Sequence, residues 1–171
     1  MNKEQPLSTN FEISEVKKHL KELEISGDYV FHGSPFLLDE LEPRQAFKTP
    51  DLRQQDSVPD GDPCVAATPY ADLSIFRSLV NGKNITIPHS SSFGINGPDG
   101  KEQLRLAVSP NVLPQLEGKK GYVYVLSRKD FISYEDEQGM EWRAHEKVNP
   151  IEVIEVTARD LPAQIEALLE D

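Results

Sequence analysis

The sequence is poor in the residues that build several familiar kinds of site. It holds a single cysteine, Cys64, among 171 residues. One thiol excludes internal disulfides and any zinc site that needs several cysteines, and it fits a reducing compartment, so a cytoplasmic setting is expected. Apolar residues make up only 37% of the chain, and none of their runs approaches the roughly 20 consecutive positions of a membrane helix. The opening Met1-Asn2-Lys3-Glu4-Gln5-Pro6 lacks the apolar stretch of a secretory signal, so no export is expected. Positive charge is also scarce, with 18 Lys and Arg against 29 Asp and Glu, a net charge of -11. Such a surface repels phosphate backbones, which argues against general nucleic-acid binding, although a local basic pocket remains compatible with it. What is present is an aromatic complement of seven Phe, five Tyr and one Trp to anchor a core. The length suits one domain spanning 1–171, able to bury roughly 70% of its unfolded surface and enclose a small-molecule cleft.

The pattern along the chain predicts an N-terminal amphipathic helix over about 10–25. Thr9-Asn10-Phe11-Glu12 has capping-box spacing, Ile13, Val16, Leu20 and Leu23 recur at helical intervals, and Ser26-Gly27-Asp28 stops the run. Tyr29-Val30-Phe31 reads as a short strand ending at His32-Gly33-Ser34-Pro35. Residues 48–63 read as a long polar loop. Cys64-Val65-Ala66-Ala67 suits a buried strand, and Thr68-Pro69 opens a second helix carrying Tyr70, Leu73, Ile75, Phe76 and Leu79. Ile85-Thr86-Ile87 reads as a strand, and Ser90-Ser91-Ser92-Phe93-Gly94 as a loop. Strands are expected at 104–108 and 121–126, with shorter ones at 131–134 and 141–143 around an acidic turn. Ile151 to Val156 alternates with period two. A C-terminal helix is expected over 160–170, capped by Asp160, with Pro162 in its first turn. Many short strands, three helices and no repeated strand–helix–strand rhythm give an α+β class with a mixed or antiparallel sheet.

Chemistry concentrates at His32-Gly33-Ser34. A strand that ends this way offers an imidazole, an approachable backbone amide and carbonyl, and a hydroxyl within one turn. These groups suit recognition of a carboxamide and a ribose hydroxyl. The plain alternative is a strand-end histidine bonded to a neighbouring carbonyl. Elsewhere the signals are weaker. His89 beside Ser90-Ser91-Ser92 lacks a nucleophile elbow. Asp56, Asp60 and Asp62 miss calcium-loop spacing. Cys64 reads as inert core, and His19 and His145 as incidental. No metal is expected.

The order of these features resembles the ADP-ribosyltransferase superfamily in its poly(ADP-ribose)-polymerase-like and diphtheria-toxin-like branch. The resemblance rests on His32-Gly33-Ser34, Ala67-Thr68, Phe76 on the following helix, and Glu146 before a late strand, over roughly residues 28–156. It implies a split, mostly antiparallel sheet with flanking helices. It also implies NAD as co-substrate, cleaved at the nicotinamide–ribose bond, with ADP-ribose passed to an acceptor. By this likeness His32 orients a ribose hydroxyl, Gly33 clasps the nicotinamide carboxamide and Ser34 lies beside the ribose. Phe76 stacks on nicotinamide, its other reading being core packing with Leu73 and Leu79. Val65 stands where the family carries an aromatic, with Tyr70 as a substitute from the helix. Ser74 is the nearest match to the carboxamide-binding serine, offset by one residue. Arg44 could reach the phosphates or sit in a surface ion pair. Glu146 is the expected catalytic carboxylate, bonded to the ribose hydroxyl as positive charge grows on the sugar, with Glu141 as competitor. Three alternatives stay open: a degenerate module that binds NAD, ADP-ribose or a protein; an RNA 2′-phosphotransferase relative; and an acidic interaction protein.

Overall fold

The computed structural model describes residues 13–48, 58–95, 104–134 and 139–168. Within them the chain is α+β. Helix α1, Glu15–Ser26, is capped by Ser14, whose hydroxyl accepts a bond from the Lys17 amide at 3.1 Å. It ends where Gly27 takes φ 75°, a left-handed turn that glycine adopts without strain. The expected Thr9–Glu12 capping box lies outside the described residues.

Strand β1, Tyr29–Ser34, pairs antiparallel with the long β7, Lys120–Ser127, and β7 pairs antiparallel with β10, Glu152–Thr157. Successive side chains of β1 take opposite faces. Tyr29 and Phe31 join the cluster under helix α2, Ala71–Leu79, whereas Val30 joins a second cluster with Tyr124 and Leu126 on the other face. Two glycines let α2 lie directly on the sheet. A Cβ at Gly33 would collide with the Ser74 carbonyl, and one at Gly121 would collide with Ser78. The close approach of β1 and α2 is therefore a property of Gly33 itself.

The second face is covered by a sheet of β4 (Val65–Ala67), β9 (Trp142–Ala144) and β8 (Ile132–Ser133), in the order β4-β9-β8. It is stitched to β1 by one bridge, in which Phe31 and Thr68 exchange backbone hydrogen bonds of 2.7 and 2.8 Å. A third sheet joins β5 (Ser91–Ile95), β6 (Leu104–Val108) and β11 (Glu166–Ala167), with β11 parallel to β6. A two-stranded ribbon, β2 (Phe47–Lys48) with β3 (Val58–Pro59), closes the inventory.

Several expectations need correction. There are two α-helices among the described residues, not three. The segment expected as a C-terminal helix forms a 3-10 turn at Ala158–Asp160 and then runs extended into β11. Asp160 is committed to its own turn, accepting from the Thr157 amide, and also accepts from the Ser14 hydroxyl. The residues beyond it find the open edge of β6, where Leu168 donates to Val108 at 2.8 Å. Tertiary pairing here outweighs the local pattern of a short helix that is marginal alone. Ile85–Ile87 is not a strand, although Ile85 is buried. The Ser90–Gly94 stretch, expected as a loop, is largely β5, held by pairing with β6. The polar loop after Lys48 gains a short strand at β3, and its residues 49–57 lie outside those described. No described helix is long and apolar enough to cross a membrane.

Candidate functional site

The pairing pattern leaves one strand edge open beside His32. In an antiparallel ladder, alternate residues direct both backbone groups to the same neighbour. Phe31 spends its amide and carbonyl on Thr68, so the backbone groups of Gly33, two residues on, face the same edge. In this antiparallel register the residue opposite Gly33 would be Ala66, but the Ala66 carbonyl is bonded to the His32 ring instead, and among the described residues no bridge continues the ladder past Phe31–Thr68. A donor and an acceptor from Gly33 are thus directed toward a cavity of about 380 Å³, lined by His32, Gly33, Thr68, Ser74, Phe76, Arg77 and Phe93 among others.

A larger cavity, about 1100 Å³, lies on the other face of β1 and is walled by Ser34, the 35–42 segment, Arg44, Val65, Lys83 and Tyr122. His32 and Ala66 line both cavities and form the partition between them. The Tyr124 hydroxyl fixes one wall of the larger cavity, accepting from the Leu38 amide and donating to the Phe36 carbonyl, each at 2.6 Å.

His32 is held from two sides. Nδ1 lies 2.6 Å from the Ala66 carbonyl, and Tyr124 packs edge-on with ring centroids 6.0 Å apart. A carbonyl only accepts, so Nδ1 carries the proton and Nε2 is left as an acceptor. Burial, followed by the positive fields of Arg77 and Arg44, pushes the imidazole below its ordinary pKa, against the raising effect of the Ala66 bond. The ring is therefore neutral near pH 7.

The carboxylates are elsewhere. Glu141 accepts from Arg143 Nε at 2.7 Å and forms an ion pair with its Nη2 at 2.6 Å; Asp60 pairs with the same nitrogen at 3.1 Å. Burial would lower the Arg143 pKa, but the bonds to Glu141 and Asp60 outweigh it and hold the group above its ordinary value. The guanidinium also lies 3.6 Å from the Tyr134 ring centroid. Glu146 is exposed, in the segment after β9 between His145, which lies 3.1 Å from the Pro63 carbonyl, and Lys147, paired with Glu40 at 2.7 Å. Neither Glu146 nor Glu141 lines either of these two cavities.

The structure thus gathers His32, Gly33, Ser74 and Phe76 at the smaller cavity, and His32, Ser34 and Arg44 at the larger. Ser74 donates its hydroxyl to the Ala71 carbonyl at 2.6 Å, and Phe76 is 2% exposed. Tyr70 is not with them. It lines a separate cleft of about 460 Å³ with Glu24, Arg128 and Trp142. Val65 is buried and faces the larger cavity, so it does not substitute for a stacking ring in the smaller one. Arg77 and Phe93, absent from the sequence-derived set, both line the smaller cavity. Arg77 is next in sequence to Phe76, and Phe93 lies in a stretch whose local pattern suits a loop. Comparison of the chain with known protein families, with curated proteins and with solved structures finds no match.

Proposed function

We propose that the chain binds NAD, with the nicotinamide in the 380 Å³ cavity and the rest of the dinucleotide passing His32 toward the larger one. The fold would then be an ADP-ribosyltransferase-like variant of α+β. The observation that carries the reading is the open backbone edge at Gly33. One amide and one carbonyl on the same edge match a carboxamide, which accepts through its oxygen and donates through its nitrogen. His32, neutral and with Nε2 as acceptor, supports it by suiting a ribose hydroxyl.

Between transfer and binding alone, the cavity lining favours binding. Cleavage of the nicotinamide–ribose bond builds positive charge on the sugar, and a carboxylate normally offsets it. No acidic residue lines the smaller cavity among those described, and Glu146 lies outside both cavity walls; the acids of the larger cavity, Asp39, Glu40 and Glu42, belong to its 35–42 wall, where Glu40 is paired with Lys147. The module reading therefore leads, and the transferase reading stands second on the resemblance alone.

The test compares NAD with nicotinic acid adenine dinucleotide by calorimetry, alongside a nicotinamide-release assay. The acid analogue lacks the amide donor and sets an anion against the Gly33 carbonyl. It is expected to bind roughly fivefold to a hundredfold more weakly, the scale of one unpaired acceptor at about 1–3 kcal/mol. Equal affinities would remove the carboxamide clasp. Nicotinamide release that Glu146→Gln abolishes would overturn the module reading in favour of transfer.

A further inference from the structure

Three phenylalanine rings line the smaller cavity, and two belong to the core. Phe31 is 0% exposed and Phe76 is 2% exposed, so neither has a face to give. Phe93 differs. It stands on β5 at 40% exposure, and the Arg77 guanidinium lies over its ring at 5.6 Å from the centroid. Arg77 is exposed at the last turn of α2, and among the described residues no carboxylate pairs with it. The ring face at this cavity is therefore one on which a planar cation already rests. The attraction is that of a positive charge for the negative face of the aromatic quadrupole.

A ligand ring entering the cavity meets two opposed effects. The Phe93 face favours a flat, positively charged ring over a neutral one. Arg77 opposes that same ring, both by covering the face and by like charge. We propose that Phe93 is the residue on which the ligand's pyridinium ring stacks, and that Arg77 competes with the ligand for that face. The pair then sets selection between the oxidised, cationic form of a nicotinamide ligand and its reduced, uncharged-ring form. This inference rests on the nicotinamide reading above and deepens it, because it names the charge state recognised and the two side chains that decide it.

The two residues predict effects of opposite sign, which a merely structural role would not give. The probes are 1-methylnicotinamide, a fixed cation, and nicotinamide, which is neutral at pH 7, each titrated by calorimetry into the full chain. Phe93→Leu is expected to weaken 1-methylnicotinamide about tenfold, and Arg77→Gln to tighten it severalfold. Nicotinamide should shift in the same directions but by a smaller factor in each variant, since stacking and the uncovering of the ring face act on it while the charge effects do not. Both side chains are exposed enough that the variants should keep the wild-type melting temperature, which is measured alongside. Changes of the same sign, or an unchanged affinity in Phe93→Leu while the wild type binds both probes, would overturn this inference and leave the carboxamide clasp standing. A wild type that binds neither probe nor NAD would overturn both.

Discussion

Two titratable centres, the buried Arg143 and the half-buried His32, lie on either side of one residue of β4, and the chain treats them in opposite ways. Ala66 accepts from His32 and is the register partner of Arg143 across β4 and β9. Arg143, 5% exposed, is surrounded by Glu141, Asp60 and the Tyr134 ring and stays charged. His32 has a carbonyl and a tyrosine ring for company, two arginine fields nearby and, among the described residues, no paired carboxylate, and it stays neutral. A centre supplied with every counter-charge is complete and has nothing left to offer a ligand. A centre denied them, next to an unpaired strand edge and two cavities, keeps an acceptor available. In a chain of net charge -11, a smaller cavity whose described lining holds no carboxylate is a local exception to the composition.

The comparison breaks most sharply at Arg143. Arg143→Met keeps much of the side-chain volume but removes the cation that Glu141 and Asp60 share. Removing one partner of a buried ion pair costs about 3–5 kcal/mol. The expected outcome is a large drop in the denaturant midpoint, partly restored when Glu141→Gln and Asp60→Asn are added. NAD affinity per folded molecule should change little, because the cluster lines neither cavity beside His32. A variant as stable as the wild type would show that the cluster is not the structural anchor described here.

How much of this was legible in the sequence follows from where each signal is stored. The β1 and β10 strands and the first helix announce themselves in local periodicity, and Gly27 in its turn. The cluster around His32 was legible as a motif, because its three residues are adjacent. The role of Gly33 in admitting α2 was not, since Ser74 is 41 positions away and only the fold brings its carbonyl there. The C-terminal segment carries a helical local pattern, and its actual partner, the free edge of β6, is invisible locally. Phe93 sits in serine-rich surroundings that suit a loop, and only pairing with Leu106 makes it a strand residue. Glu146 and Glu141 look alike as acids before a late strand. The difference between them, one exposed and one bound to Arg143, is a long-range fact.

A smaller effect sharpens the contrast from the side of the larger cavity. Tyr124 packs against His32, and its hydroxyl bonds both Leu38 and Phe36. Tyr124→Phe keeps the ring and removes both bonds, leaving a backbone donor and acceptor to find new partners. A loss of about 1–3 kcal/mol is expected. Its distinctive sign is faster amide exchange at Leu38, with the Arg143 cluster unmoved. Unchanged protection at Leu38 would mean that the 36–38 segment is held by something other than this hydroxyl.

The smallest effect is one of pH, and the two centres should differ in it. The folded His32 has its pKa below the ordinary 6.5, chiefly through burial, whereas an unfolded chain titrates near that ordinary value. Between the two, the unfolded state binds a proton that the folded state refuses, so stability rises with pH there. The contribution is complete above about pH 6.5 and is lost as pH falls toward the folded value. Arg143, held above an already high pKa, adds no slope in that window. His32→Asn retains an N–H donor for the Ala66 carbonyl but cannot titrate, while His19, His89 and His145 are common to both proteins. The denaturant midpoint of the wild type should therefore fall more steeply than that of His32→Asn from pH 7.5 to 5.5. Parallel curves would mean that His32 takes up its proton in the folded protein as readily as in the unfolded one, and the contrast between the two centres would lose its electrostatic half.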